Sequence, residues 1–265
     1  MERPVKAFIA SHRRTGAMRL TAKLASRFLN AYFNTGCYDF AINGEARVLR
    51  AFADLGIARP VIWDVGAHFG EYANEAHAIL PDARILCFEI VPAVAAELQR
   101  NIPAGVRIFT MGLSDRIGTV NVSWNKDYHT TNAIDPFPHS GPAGSVEVVE
   151  CPVSTIDDLI AQGEPAPHFL KIDVEGHESA VIRGARALLA GKEAPVMIQF
   201  EYGATWIPGG ELLFALQAEL ERAGYRIGRV FPDHVDFKSY DWTDEHFRMG
   251  NMVAARDPEV IARLG

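Results

Sequence analysis

The chain has 265 residues, 48% of them hydrophobic and 22% charged, a composition typical of a globular protein that buries a full core. Its three cysteines, Cys37, Cys87 and Cys151, contain no CxxC pair, so the sequence favours neither a zinc ribbon nor a disulfide framework. No apolar run reaches the roughly 18 residues that cross a bilayer, and the N-terminus lacks the apolar core of a signal peptide. We therefore expect a cytoplasmic protein.

The charge is distributed unevenly along the chain. Residues 1–38 hold seven Lys or Arg residues against Glu2 alone, a net charge of +6, whereas the rest of the chain carries −13. Leu20, Leu24 and Phe28 recur at helical spacing with basic residues between them, which predicts an amphipathic helix packed on its own domain. Contact with an anionic substrate, a membrane surface or an acidic partner is the alternative. The acidic remainder disfavours nucleic-acid binding.

The first half of the chain predicts alternating helices and strands. Residues 43–56 predict a helix that leads through Pro60 into the buried strand VIWDV. The segment from Glu71 to Leu80 predicts a short crossover helix, and ILCFEI a second strand, so the two strands should lie side by side in a parallel sheet. The helix VPAVAAELQRNI follows, and then a third strand, VRIFTMGL, that ends at Ser114 and Asp115.

The second half of the chain predicts an excursion, by which we mean two strands that leave the main sheet and return to it. Two more units of a strand followed by a helix come after it. TVNVSW and SVEVVECPV predict the two arms of the excursion, and residues 125–144 between them are either a substrate-covering loop or a plain surface loop. The strands HFLKIDVEG and PVMIQFEYG are each followed by a helix, and YRIGRVF and MGNMVAAR close the chain. No linker interrupts this series. We expect one domain over 1–265, with a helical region at 1–58 and an α/β core at 59–256.

The stretch VIWDVGAHFG predicts a cofactor cleft. Gly66 and Gly70 let the backbone turn tightly beside a ligand, to which the amides of the next helix would donate hydrogen bonds. Glu89 follows Gly70 by 19 residues, where an acid accepts from both ribose hydroxyls. The dinucleotide fingerprint GxGxxG is missing because position 68 is histidine and position 71 is glutamate.

The charge at this turn separates the candidate cofactors. Asp64 would repel a pyrophosphate and attract a cationic amine or sulfonium centre, so S-adenosylmethionine fits better than a dinucleotide. The alternative is an ordinary junction, in which Asp64 caps the following helix and Gly66 makes a turn.

A second group of chemically active residues follows the strand HFLKI. Asp173, Glu175, His177 and Glu178 lie where ligands bind in doubly wound folds, and we expect the reaction centre there. A carboxylate could hold the charged part of the cofactor, His177 could act as a general base, or the group could bind a divalent cation. In the remaining alternative, the acids complement the dipole of a helix.

Several motifs together resemble one known family. DVGAHFGEY, the strand ending in FEI, GLSDRIGTV, and LKIDVEGHE followed by VIRGA resemble the FkbM methyltransferases, a branch of the class I S-adenosylmethionine-dependent fold. The resemblance runs from about residue 43 to the final strand. It implies a doubly wound, Rossmann-like α/β fold, with a mostly parallel seven-stranded sheet whose last strand is reversed.

The resemblance also implies roles for matching residues. Asp64, Gly66 and Gly70 would surround the methionine end of the cofactor, and Glu89 would bind the ribose. Ser114 and Asp115 would lie near the adenine, and Asp173 near the transferred methyl group. Ala67, His68 and Tyr72 are counted with the cofactor site as members of the same motif, although asparagine is common at the place of His68.

The function implied is methyl transfer to a hydroxyl of a small molecule, such as a sugar or a polyketide-like natural product. DVEG lacks the Asn/Asp-Pro-Pro-Tyr run of enzymes that methylate planar amino groups, which favours oxygen as the acceptor. His177, His129 and Glu201 are candidates for the base, with His177 preferred, and Asp173 completes the catalytic set. The alternatives are a binding or scaffolding protein without chemistry and an NAD-dependent dehydrogenase. The sequence leaves metal dependence and oligomeric state open.

Overall fold

The strands of the chain form one large and one small sheet in the computed structural model, which describes residues 2–125, 134 and 146–265. Almost all of the predicted 125–144 loop, including His129, lies outside the described residues. The strands are β1 (Val61–Val65), β2 (Arg84–Phe88), β3 (Arg107–Phe109), β4 (Gly112–Leu113), β5 (Gly118–Asn125), β6 (Val146–Ser154), β7 (Phe169–Ile172), β8 (Met197–Tyr202), β9 (Arg226–Val230), β10 (Val235–Phe237) and β11 (Gly250–Ala255).

The large sheet has the strand order β10-β9-β11-β8-β7-β1-β2-β3. The five strands from β3 to β8 in this order are parallel, and β11 runs antiparallel to both of its neighbours. The doubly wound sheet with a reversed last strand is therefore confirmed. One strand was not predicted: β10 pairs antiparallel with β9 and extends the sheet to eight strands.

Helices from α3 onward cover both faces of this sheet, while α1 and α2 bury none of their described residues against it. The helices are α1 (Glu2–His12), α2 (Gly16–Tyr32), α3 (Glu45–Ala53), α4 (Glu71–Ile79), α5 (Pro92–Asn101), α6 (Ile156–Ala161), α7 (Glu178–Arg183), α8 (Arg186–Ala190), α9 (Trp206–Gly209), α10 (Leu213–Arg222) and α11 (Pro258–Leu264). Trp63 and Leu170 face the cluster with α7, α8 and α10, whereas Ile62 and Phe169 face the cluster with α3, α4 and α11. The central strands are apolar on both sides because both faces are buried.

The core extends beyond residues 59–256 at both ends. Val48, Leu49 and Phe52 of α3 and Val260 and Leu264 of α11 are buried in the same apolar cluster. Within the described part of the chain, no helix is long and apolar enough to span a bilayer.

The predicted third strand is divided between the two sheets. β3 ends at Phe109, and Gly112–Leu113 pair instead with β6, which forms the small sheet β4-β6-β5. β5 and β6 are the two antiparallel arms of the expected excursion. The chain therefore leaves the large sheet before it reaches Ser114 and Asp115.

The predicted helix after His177 is also divided. It ends at Arg183 and restarts at Arg186, with Gly184 as the C-cap residue of α7. A Cβ atom on Gly184 would lie 2.0 Å from the carbonyl oxygen of Ser114. Glycine at this position therefore permits a backbone contact that any side chain would prevent.

The N-terminal amphipathic helix forms, but the prediction that it packs on its own domain is wrong. Leu20, Leu24 and Phe28 are 58%, 54% and 67% exposed, and no residue of α2 is buried. The chain rejoins the core after the helix ends, where the carbonyl of Phe33 accepts a hydrogen bond from Nε of Arg229 at 2.9 Å. The pattern predicted a helix with an apolar face, but not what covers that face.

Candidate active site

Three polar side chains lie in one row across the middle of the large sheet. Strand register pairs Asp64 with Lys171 and Lys171 with Gln199, so the three residues are neighbours on β1, β7 and β8. All three are buried. Because cross-strand neighbours point to the same face, they form a polar strip within an otherwise apolar layer.

Lys171 is the centre of this row. Its Nζ lies 3.4 Å from Oδ1 of Asp64, 3.3 Å from Oδ2 of Asp173 and 5.2 Å from the centroid of the Tyr72 ring. Burial alone would lower its pKa, but the charges of Asp173, Asp64 and Glu45 outweigh burial and raise the pKa above its ordinary value. Lys171 is therefore a buried cation held between two carboxylates.

The row continues into α3 through hydrogen bonds. Nε2 of Gln199 donates to Glu45 at 2.6 Å, and Nδ2 of Asn43 donates to the other oxygen of the same carboxylate at 2.6 Å. The hydroxyl of Tyr72 donates to Oε1 of Gln199 at 3.3 Å. These bonds tie the start of α3 and the first turn of α4 to the sheet.

The sequence DVEGHE forms a tight loop after β7. Glu175 and Gly176 both adopt positive φ, and a Cβ atom on Gly176 would lie 2.1 Å from the carbonyl oxygen of Thr205. The carboxylate of Glu178 accepts hydrogen bonds from the amides of Val174 at 2.9 Å and Gly176 at 3.0 Å. Glu178 is fully buried, and burial raises its pKa to about 7. It holds the loop in shape.

Three other carboxyl groups converge beside this loop. Asp173, Glu175 and Glu201 each offer an oxygen within 4.8 Å of the other two. We call them the acidic cluster. Burial, and then Asp173 and Glu175, raise the pKa of Glu201 well above its ordinary value, and burial, and then Asp173, raise the pKa of Glu175 to about 8. Such a group can hold a proton, accept hydrogen bonds from hydroxyls or bind a divalent cation.

The glycine turn after β1 brings two strand ends together. Gly66 has a φ of 80°, and a Cβ atom there would lie 1.8 Å from the carbonyl oxygen of Asp173. The amides of Gly66 and Ala67 donate to the carbonyl of Phe88 at 2.9 and 3.0 Å. These two amides bind the end of β2 and are therefore not offered to a ligand.

Glu89 is held by backbone amides on both sides. Its Oε2 accepts from the amide of His68 at 3.0 Å, and its Oε1 from the amide of Val91 at 2.9 Å. An ionised carboxylate offers about four acceptor positions, so acceptor capacity remains for a ligand. His68 has a φ of 49°, a left-handed conformation in which asparagine and histidine are both enriched.

A cavity of about 390 Å³ joins Glu89 to the acidic cluster. Nine of the predicted site residues line it: Gly66, Ala67, His68, Tyr72, Glu89, Asp173, Glu175, His177 and Glu201. The sequence therefore identified the strand ends that meet at the cavity. Ile134 also lines it and is the only described residue within 126–145.

Asp64 and Gly70 are not among the lining residues. Asp64 is fully buried next to Lys171, so its position does not support direct contact with a ligand. Gly70 is the N-cap residue of α4, with a φ of 91° and a side-chain direction blocked by Ile102 at 2.5 Å. Both residues lie behind the lining residues and support the shape of the cavity without forming its wall.

Ser114 and Asp115 also lie outside the lining. Oγ of Ser114 is 2.9 Å from Nε2 of His177, and the Asp115 carboxylate forms ion pairs with Arg183 at 3.3 Å and Arg116 at 3.5 Å. Gly112 and Leu113 of β4, together with Ile90, line the cavity instead. Ser114 and Asp115 lie outside the lining because β4 pairs with β6.

The residues of the site that sequence reasoning missed include Tyr38, Glu45, Lys171 and Gln199. Lys171 and Gln199 carried a usable signal, because each is a polar residue inside a buried strand. Tyr38, whose hydroxyl donates to Sδ of Met249 at 2.9 Å, carried none.

The lining holds far more acidic than basic side chains. Among the described residues that line the cavity, six are acidic, while Lys171 is the only Lys or Arg: the acids are Glu45, Glu71, Glu89, Asp173, Glu175 and Glu201. Although Glu175 and Glu201 hold protons at neutral pH, the other four acids outnumber Lys171, and such a lining attracts a cation and repels a phosphate.

Residues 64–227, which contain most of this cavity's lining, match the model of the methyltransferase FkbM domain. The chain belongs to the FkbM methyltransferase family. The match covers every segment that carries the row, the glycine turn and the acidic cluster, and it stops before β10 and β11.

Two named relatives match part of the chain. The hexuronic acid methyltransferase AglP of Haloferax volcanii is 29% identical, over 54% of this chain and 57% of its own length. The 2-O-methyltransferase NoeI of Sinorhizobium fredii is 28% identical, over 54% of this chain and 62% of its own length. The chain thus spans less than two thirds of either relative.

Solved structures give a weaker similarity. The TehB-like SAM-dependent methyltransferase of Corynebacterium glutamicum superposes with a TM-score of 0.43 and 13% identity, over 90% of this chain and 99% of that protein. The fold assignment depends on the strand order described above and not on this superposition.

Proposed function

We propose that this FkbM family member is an S-adenosylmethionine-dependent O-methyltransferase that acts on a hydroxyl group of a small molecule, such as a sugar or a natural product. The observation that supports it most is the charge of the cavity, in which six carboxyl groups accompany one lysine. S-adenosylmethionine supplies a methyl group bound to a cationic sulfur, which such a lining favours.

The same charge argues against a nicotinamide dinucleotide. A pyrophosphate needs bare glycine backbone and helix amides. Here the amides of Gly66, Ala67 and His68 are bonded to Phe88 and Glu89, and no arginine is among the described lining residues. In the part of this cavity that the structure describes, a pyrophosphate would therefore find neither these three amides nor an arginine to bind it.

The residues of the cavity fit the proposed cofactor. The Glu89 carboxylate, already fixed by two amides, would accept from the two ribose hydroxyls. Asp173 would lie near the sulfonium charge, with Lys171 and, behind it, Asp64 as positioning residues. Gly112 and Leu113 would take the place by the adenine that the resemblance gave to Ser114 and Asp115.

The acidic cluster suits an acceptor with several hydroxyl groups. Its carboxyl oxygens lie within 4.8 Å of one another and can accept hydrogen bonds from neighbouring hydroxyls of one sugar ring. The names of the two relatives, a hexuronic acid methyltransferase and a 2-O-methyltransferase, agree with this acceptor class. A single lysine in the described lining favours a small molecule over a nucleic acid.

The proton of the acceptor hydroxyl has two possible destinations. The sequence favoured His177, which lines the cavity and whose Nε2 lies 2.9 Å from Ser114. We now prefer Glu201, because it belongs to the acidic cluster and its raised pKa brings it closer to that of an efficient base. In either case, the protein mainly aligns the acceptor and excludes water.

A divalent cation is an alternative occupant of the acidic cluster. Three carboxyl oxygens are suitable ligands for magnesium, but Lys171 already places a positive charge 3.3 Å from Asp173. Loss of turnover on chelation, restored by magnesium, would establish the metal site. Unchanged turnover in excess chelator would leave the cluster as an acceptor and proton site.

The cofactor assignment is tested by calorimetric titration with S-adenosylhomocysteine, with NAD in parallel. We expect saturable binding of the former alone. Glu89→Gln should weaken it by about 10- to 100-fold, since a hydrogen bond to a charged group contributes about 1.5–3 kcal/mol. Glu97→Gln, on the exposed side of α5, is the matched control and should bind as the wild type does.

Other outcomes of these titrations would contradict the assignments. Saturable NAD binding would contradict the cofactor class, and an unchanged dissociation constant for Glu89→Gln would remove this residue from the ribose site. Binding of S-adenosylhomocysteine without turnover of any hydroxylated acceptor would favour the scaffolding alternative. Thermal unfolding of both variants shows whether the carboxyl change has altered the fold.

A further inference from the structure

The first two helices expose an unusual amount of apolar surface. We call residues 2–32, which hold α1 and α2, the N-terminal arm. Eight large apolar side chains of the arm are exposed: Val5, Phe8, Ile9, Leu20, Leu24, Phe28, Leu29 and Tyr32. An apolar surface of this extent marks an interaction site, because single exposed apolar residues are ordinary but contiguous ones are not.

The apolar residues of α2 form a stripe with a basic border. Leu20, Leu24 and Phe28 are spaced by four residues and therefore lie along one side of the helix. A second set with the same spacing, Arg19, Lys23 and Arg27, precedes each of them by one residue and lies about 100° around the axis. In α1, Val5, Phe8 and Ile9 repeat the apolar side, with Lys6 beside them.

The charge of the arm has one sign. Between Arg3 and Tyr38 the sequence contains seven Lys or Arg residues and no acid, while the rest of the chain is strongly acidic. A helix with an apolar stripe, flanking Lys and Arg residues and low overall hydrophobicity is the kind that lies in the interface of an anionic bilayer. The apolar side chains enter the acyl boundary, and the basic ones reach the headgroups.

We propose that the N-terminal arm binds the surface of an anionic lipid bilayer. An acidic protein surface, including that of a second copy, could pair with the basic residues, but it would leave Leu20, Leu24 and Phe28 in water. A bilayer satisfies both sets at once. This inference is independent of methyl transfer, because no residue of the arm lines the cavity in the described part of the chain.

The arm joins the core close to the cavity. Its last turn is followed by Phe33, whose carbonyl binds Arg229, and the amide of Gly36 donates to the carbonyl of Met249 at 3.3 Å. Tyr38, two residues further, lines the cavity. Binding of the arm would therefore hold the cavity near the bilayer.

The test is flotation of the full chain with vesicles of phosphatidylcholine alone or mixed with phosphatidylglycerol. We expect binding to the mixed vesicles, at least tenfold weaker binding to phosphatidylcholine alone, and a loss of binding as salt rises. Arg19→Glu/Lys23→Glu should reduce the partition coefficient at least tenfold. Lys192→Glu/Arg222→Glu makes the same charge change on exposed residues of the core and should leave binding unchanged.

The apolar stripe is tested by Leu20→Ser/Leu24→Ser, which should also abolish binding to the mixed vesicles while the thermal midpoint of the core stays the same. The proposal is overturned if the wild type binds neither vesicle, if it binds both equally, or if the core variant loses binding as the arm variant does. Concentration-dependent dimers in size-exclusion chromatography without lipid binding would identify a second copy as the occupant and would also overturn it.

Discussion

The polar row of the sheet and the N-terminal arm place charged and apolar groups in opposite surroundings. In the row, Lys171 is buried between Asp64 and Asp173. Its neighbour Gln199 is fixed by a hydrogen bond to Glu45 of α3. In the arm, Leu24 and Phe28 are more than half exposed. Both regions break the rule that apolar residues lie inside and charged ones outside. In the row, the buried charges belong to the site. In the arm, we propose that the exposed apolar side chains bind a lipid bilayer.

The comparison predicts that the row is far more sensitive to substitution. Lys171→Met keeps the apolar stem of the side chain but leaves the buried Asp64 without its cation, which costs about 3–5 kcal/mol. We expect a loss of that size in urea unfolding. Lys192→Met on the exposed turn before β8 is the control and should change stability by less than about 0.5 kcal/mol.

A double variant separates charge from packing in this prediction. Asp64→Asn in the Lys171→Met background removes the unpaired carboxyl group and should recover more than half of the lost free energy. Equal instability of the single and double variants would mean that Lys171 acts through packing against Tyr72, and that the ion pair adds little.

The acidic cluster gives an effect that depends on pH. Burial, and then Asp173, raise the pKa of Glu175 from its ordinary 4.5 to about 8. Its stabilising contribution is complete below about pH 4.5 and is lost as pH rises through about 8, because the unfolded carboxyl group ionises first. Wild-type stability should therefore fall between these values, by at most about 1.4 kcal/mol per pH unit for this group.

Glu175→Gln should flatten this fall, since an amide does not titrate. The measurement is the free energy of unfolding at about pH 5, 6.5 and 8.5 for the wild type, Glu175→Gln and the exposed control Glu193→Gln. Glu178 and Glu201 contribute slopes of the same sign. Because Glu175 itself raises the pKa of Glu201, Glu175→Gln also weakens the slope from Glu201, and the difference reports the two groups together. Parallel curves for the wild type and Glu175→Gln would show that Glu175 is already ionised in the folded protein.

The sequence predicted local structure better than contacts across the fold. The crossover helix was expected from Glu71 to Leu80 and runs from Glu71 to Ile79, because its apolar spacing and the glycines before it are local signals. The partner of Lys171 was not predicted, since its pairing with Asp64 depends on the register of strands more than 100 residues apart. The same limit applies to Ser114 and Asp115, which were displaced by the pairing of β4 with β6.

The arm shows this limit most clearly, since periodicity indicates a helix with an apolar face but does not indicate what packs against that face. Leu24→Ala should change the stability of the core by less than about 0.5 kcal/mol, because Leu24 is 54% exposed and alanine is at least as good a helix former. Leu49→Ala, in the buried face of α3, should cost about 2–5 kcal/mol.

Both variants are compared by urea unfolding at two protein concentrations. A cost for Leu24→Ala near that of Leu49→Ala would mean that α2 is covered in solution, by the core if the cost is independent of concentration and by a second copy if it is not. Either result would remove the exposed stripe on which lipid binding depends. A negligible cost, together with a loss of vesicle binding for Leu20→Ser/Leu24→Ser, would show that these side chains act outside the fold.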